Sequence, residues 1–214
     1  MYANLVAMAS FWSTLTDIDR QMQRDVIAKG CPLCGGPLHV ANHPRKPRGL
    51  PPEVEGTWSQ RFNTCCGWCR RRCMPPSVRF LGRRVYAGVI VMLATMLAVV
   101  CEASRQTLQR WLAWWTLELP TLPTWMVLRA GFVPAVPSSR LPASLLERYE
   151  PAIGGQSLQG LKNTLQALAP ITTSTAARTH REGHSAAPEL AHKMAIDCNR
   201  RGLLPRAQAP PQTT

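Results

Sequence analysis

The sequence predicts a mainly α-helical chain, interrupted by a small β/loop module and followed by a disordered C-terminal tail. Three observations carry this. Apolar residues recur at three- and four-residue spacing through residues 11–29, 108–115 and 158–168. Six of the eight cysteines fall between positions 31 and 73, in a stretch rich in turn residues. Beyond Pro170 the chain becomes Thr-, Ala-, Pro- and Arg-rich, a composition that buries too little apolar surface to order itself. With 45% hydrophobic residues in 214, wholesale disorder is excluded, and 19 prolines exclude one uninterrupted rod. The expected divisions are residues 1–30, 31–84, 85–118, 119–170 and 171–214.

Residues 11–29 predict an amphipathic helix with Phe11, Leu15, Ile18, Met22 and Val26 on its inner face. Ser10 suits the N-cap and Gly30 the C-terminal stop. The remaining positions carry charges of both signs, which predicts a solvated outer face. No Lys or Arg precedes the apolar start of the chain, and the first charge is Asp17. A secretory signal opens on basic residues, so the expected compartment is the cytoplasm.

Residues 31–76 hold CPLCGG, PRKPRGLPPE, CCGWCRRRC and PPS. Cys31 and Cys34 are separated by two residues, and Cys66 and Cys69 repeat that spacing. Two such pairs make a tetrahedral four-thiolate site for zinc, because the two-residue gap lets both sulfurs reach one ion about 2.3 Å away. The interval from Cys34 to Cys66 holds 31 residues, more than the ~15–20 usual between two such pairs. Cys65 or Cys73 can also pair with Cys69 across three residues, and His39 can replace one ligand. A redox pair or buried thiols is the alternative. Cys101 and Cys198 lie outside the cluster and are read as ordinary thiols.

The net charge of +13 is concentrated here: residues 31–85 carry ten bases and two acids. Of the chain's 25 bases, 21 are Arg, whose planar fork suits phosphate and base edges. Arg45, Lys46 and Arg48 lie in a proline-extended arm that suits a phosphate track or minor groove. Arg70, Arg71 and Arg72 follow the second cysteine pair, and Arg79, Arg83 and Arg84 come next. Clusters on both sides of one metal knuckle point to nucleic acid.

Residues 85–101, VYAGVIVMLATMLAVVC, form a 17-residue run without charge. It is long enough for a membrane span, which makes a membrane-anchored zinc protein the alternative reading. Its small residues Ala87, Gly88, Ala94 and Ala98 favour a buried helix in a globular domain. Ser104 then suits an N-cap. Leu108, Trp111, Leu112 and Trp115 form an apolar face, while Arg105, Gln106, Gln109 and Arg110 project elsewhere. A buried helix, a turn and an amphipathic second helix predict a helix-turn-helix, in which Arg and Gln can read base edges. An ordinary helical hairpin packed on its tryptophans is the alternative.

Residues 119–139 contain four prolines and predict a non-helical connector. A short helix is expected over residues 142–149, with Ser144 and Glu147 at capping-box spacing. Another is expected over residues 157–168, with Leu158, Leu161, Leu165 and Leu168 on one face.

Together CPLCGGPLH, PRKPRG, CRRRCMPPSVRFLGRRVYAG and S-x-x-TLQRW resemble the zinc-ribbon plus helix-turn-helix proteins of bacterial insertion sequences. They are similar to the N-terminal DNA-binding parts of transposases. The likeness covers roughly residues 10–116. It implies a zinc-ribbon-like module with Cys31, Cys34, Cys66 and Cys69 as ligands, recognition of element ends or target DNA, and a nearby-encoded transposase as partner. No Asp lies between Asp25 and Asp197, and neither a Walker loop nor HExxH is present. A two-cation nuclease requires about three carboxylates, so a noncatalytic accessory or regulatory protein of a mobile element is expected.

Overall fold

The computed structural model describes residues 2–82, 84–150 and 157–171. Of the tail expected over residues 171–214, residues 172–214 lie outside the described residues, as does Arg83, whereas Ile171 is described and buried. Two helices begin the chain, the five-residue α1 (Tyr2–Val6) and the 21-residue α2 (Ala9–Lys29). Gly30, at φ 74°, ends α2 as expected, because glycine takes a left-handed conformation without a Cβ clash. Ser10 lies inside the helix, whose N-cap is Met8.

The buried face of α2 corrects the expectation of a solvated charged side. Asp19 and Gln23 are buried with Phe11, Trp12, Leu15 and Thr16, whereas Ile18, Met22 and Val26 are only half-buried. Gln23 donates to the Asn63 carbonyl at 2.8 Å and to Asn42 Oδ1 at 2.9 Å. Asp19 accepts from Val78 N–H (2.7 Å), Ser77 Oγ (2.6 Å) and Arg79 Nε (2.8 Å). A buried carboxylate is tolerated when every lone pair finds a donor.

The cysteine module is a three-stranded antiparallel sheet ordered β1 (Leu38–Val40), β4 (Thr64–Cys66), β5 (Arg72–Cys73). Beside it β2 (His43–Pro44) pairs with β3 (Gln60–Arg61), and α3 (Glu55–Trp58) fills the long interval between the cysteine pairs. Trp58, from that interval, is fully buried and meets Trp12 edge-on at 5.0 Å. The insertion therefore adds to the main core.

The apolar run 85–101 does not form one helix. Its start is held extended: Val85 O accepts from Arg48 N–H at 2.9 Å, and Phe80 bridges Ala87. Helix α4 spans only Gly88–Thr95, with Gly88 to Ala94 buried. Leu97 sits at φ 57°, while Ala98 N–H reaches Leu93 O at 2.9 Å and Leu97 N–H reaches Ala94 O at 3.1 Å. This pair of bonds is a Schellman stop, formed here without glycine. No helix among the described residues is long and apolar enough to cross a membrane.

Helix α5 (Arg105–Ala113) is capped by Ser104, whose Oγ accepts from Thr107 N–H. Residues 96–104 separate it from α4, nine residues where a helix-turn-helix uses about three or four. Its last turn widens into a π-type turn over Trp114–Glu118, which buries Trp114 and leaves Leu112 exposed. The proline-rich connector contains a helix after all, α6 (Pro123–Ala130), because proline at the first helical position has φ preset and loses no hydrogen bond. Helix α7 (Ala143–Tyr149) forms without the capping box: Ser144 donates to Pro137 O, and Glu147 pairs with Arg140. Helix α8 (Leu158–Leu168) is capped by Ser157 and buries Leu161, Leu165 and Leu168. Ile171 is also buried.

The helices share one apolar core with residues 78–81. The cysteine module has a second, very small cluster of Cys31, Leu38 and Cys66, against which Val26, Ile27, Cys69 and Cys73 pack.

Candidate metal centre and basic face

Cys31 and Cys34 lie in the turn after α2, and Cys66 and Cys69 lie in the hairpin joining β4 to β5. Leu38 pairs with Cys66 across the sheet, Gly67 N–H donates to Pro37 O, and Cys66 N–H donates to Arg71 O at 2.9 Å. These bonds bring the two loops face to face. The four sulfur atoms lie within 4.8 Å of one another, with Cys31 Sγ 3.7 Å from Cys69 Sγ and Cys34 Sγ 3.5 Å from Cys66 Sγ. A tetrahedral site with ~2.3 Å metal–sulfur bonds requires sulfurs about 3.8 Å apart. The cluster meets that spacing, so these four cysteines can hold a metal ion.

The electrostatics fit a thiolate site. Burial raises the Cys31 thiol, but the N–H groups of Leu33 and Cys34 outweigh it and bring it down to about 6. For Cys66, burial is likewise outweighed by the N–H groups of Cys69 and Trp68, and its pKa falls. At Cys69 the Arg71 N–H pulls down, yet burial and the three neighbouring sulfurs push the thiol up to about 12. Four thiols in one small volume cannot all ionise without a cation, and a metal ion would displace the remaining protons.

The alternate ligands stand apart. Cys65 Sγ faces the carbonyls of Cys66 and Arg70, and His39 pairs with Cys65 in the sheet with its imidazole over Gly67. Cys73 packs against the cluster without belonging to the four, and burial raises its thiol to about 11.

The predicted DNA-contacting arginines divide into two sets. Arg79 is fully buried, which removes it from any phosphate-facing role. It is paired with Asp19, donates Nη2 to Gln60 O, and stacks 4.1 Å from the Phe62 ring centroid. Arg45 is half-buried over Phe80 and donates to Arg84 O at 2.9 Å. Arg84 lies 4.2 Å over Trp114 and donates to Leu81 O. These three guanidiniums serve the fold, because the carbonyls and rings they meet compensate their desolvation. Arg61, from the same segment, is also buried; desolvation brings it down to about 10 despite nearby Asp19.

Lys46, Arg48, Arg70, Arg71 and Arg72 are exposed. The arm carrying Lys46 and Arg48 is not free: Arg48 N–H and C=O are both held by residues 85–87. Arg105, Gln106, Gln109 and Arg110 are exposed on α5.

Three features escape the spacing of the cysteines. Trp68 is 69% exposed at the tip of the second knuckle. Gly36 leaves room for its indole: a Cβ there would lie 2.8 Å from Trp68 Cδ2. Arg70 takes φ 58°, in the place where the first knuckle has Gly35 at φ 72°. The broken repeat, Cys-x-x-Cys-Gly against Cys-x-x-Cys-Arg, is the sequence signal for the last.

Compared with protein-family models, curated proteins and solved structures, the chain matches none.

Proposed function

We propose that this chain is a noncatalytic DNA-binding protein whose cysteine module is stabilised by one zinc ion. A four-sulfur tetrahedral donor set suits zinc, and four protein ligands leave no open position for catalysis. The observation that carries the DNA reading is the exposure of Arg70, Arg71 and Arg72 in succession beside the metal cluster. Among the described residues none of the three forms an ion pair. Lys46 and Arg48 add two exposed cations on an arm fixed to the body at residues 85–87. Helix α5 offers a second contact, with Arg105, Gln106, Gln109 and Arg110 exposed from its capped N-terminus onward.

The test is duplex binding as a function of salt. Neutralising ~5 phosphates gives a slope of log K against log salt of about −4.5. A flat response would remove DNA as the partner.

A further inference from the structure

We propose that Trp68 is a stacking platform for an unpaired nucleobase, so that the metal knuckle binds single-stranded DNA. This rests on the DNA reading of the same module and names the form of its ligand.

The indole is exposed, yet its position is set. Its neighbour Gly67 donates its N–H to Pro37 O at 2.9 Å, which fixes the backbone from which the side chain leaves. The ring covers Gly36, which is buried and has no side chain to displace it. The result is a rigid aromatic surface open to solvent. Bases within a duplex are stacked on one another and cannot present a face to such a ring, whereas an unpaired base can.

The surroundings select a polyanion. Arg70, Arg71 and Arg72 follow Trp68 in the same hairpin, and the Cys66–Arg71 backbone hydrogen bond closes it at 2.9 Å. Stacking surface and cations are therefore a few residues apart on one rigid loop, the combination that tracks a single strand. Arg70 adds to the argument. Its left-handed backbone conformation is free for glycine and costly for arginine. The corresponding place in the first knuckle is Gly35. A side chain held there at a conformational cost is explained by a contact it makes with phosphate.

The experiment uses the full zinc-loaded chain and fluorescence anisotropy with labelled oligothymidylate, oligouridylate and a DNA duplex of the same length. Trp68→Ala should weaken oligothymidylate binding roughly five- to hundred-fold and leave duplex binding and the salt slope unchanged. Trp68→Phe should restore most of the loss. Arg71→Ala should instead reduce the single-strand salt slope by ~0.7. Arg70→Gly should keep its zinc and gain thermal stability, since glycine adopts φ 58° without strain, while binding oligothymidylate several-fold more weakly. Zinc content of each variant excludes misfolding as the cause. Equal effects of Trp68→Ala on single strand and duplex, or none on the single strand, would overturn the proposal and leave duplex binding standing. Oligouridylate bound ten-fold or more tightly than oligothymidylate would overturn DNA as the strand. No binding of any nucleic acid would overturn both readings.

Discussion

Asp19 is the residue on which the junction of α2 with residues 77–79 depends. Its carboxylate faces two buried guanidiniums, Arg79 at 2.8 Å and Arg61 at 3.8 Å. Removing it strands two desolvated cations, so Asp19→Ala should cost about 3–5 kcal/mol in urea unfolding. Asp17, two positions away, pairs with Arg20 on the exposed face. Asp17→Ala should change stability by no more than about 0.5 kcal/mol. The contrast between adjacent acids was not legible in the sequence. Both sit in one amphipathic helix among charges of both signs, and the partner that buries Asp19 is sixty residues away. The same holds for Arg79: an arginine in a basic cluster looks like its neighbours until a carboxylate and three rings enclose it.

At the scale of elements, local signals worked where a helix carried its own boundaries. Ser104 caps α5 and Gly30 stops α2, because capping needs only residues adjacent in the chain, although Ser10 and the Ser144–Glu147 pair do not cap their helices. They failed for the apolar run 85–101, where hydropathy gives no boundary. Leu97 closes α4 in a left-handed conformation while 91% exposed. Leu97→Gly should therefore stabilise the protein by about 1 kcal/mol, seen as a raised denaturant midpoint at constant m. Helix α5 supplies a binding prediction. Arg105→Ala or Gln109→Ala should cost ~1–3 kcal/mol on a preferred duplex site and much less on random DNA. Helicity should persist in both, since Trp111 and Trp115 hold the buried face. Equal losses on both kinds of DNA would reduce α5 to a nonspecific contact.

At the scale of the whole molecule, two cores of unequal size among the described residues divide the energetics. The main cluster buries Trp12, Trp58, Trp115 and Trp125 among many aliphatic side chains. The cluster under the cysteines has Leu38 as its one buried aliphatic residue. A metal ion bound by the four sulfurs would then supply much of the module's folding free energy. Elemental analysis should find about one zinc per chain. Chelation should abolish amide protection in residues 31–73 while the tryptophan core keeps its near-ultraviolet signal. Cys66→Ser should reproduce that loss, whereas Cys65→Ser, Cys73→Ser and Cys101→Ser should keep the metal. Retained protection without metal would show that the strands stand alone.

The sequence itself pointed to a metal centre, since two Cys-x-x-Cys pairs can place four sulfurs around one point, but Cys65, Cys73 and His39 stayed open as ligands until the fold gathered Cys31, Cys34, Cys66 and Cys69. The existence of the periodic helices α2, α5 and α8 was legible too, because apolar spacing is a local property of the chain, but not the buried face of α2. Tertiary structure alone decided which arginines face solvent, where the apolar run breaks into strand, helix and loop, and that the long interval contributes Trp58 to the main core. Those outcomes depend on contacts between residues far apart in the chain. Residue type and spacing specify what a side chain can do, but burial, set by the whole fold, selects which of those things it does.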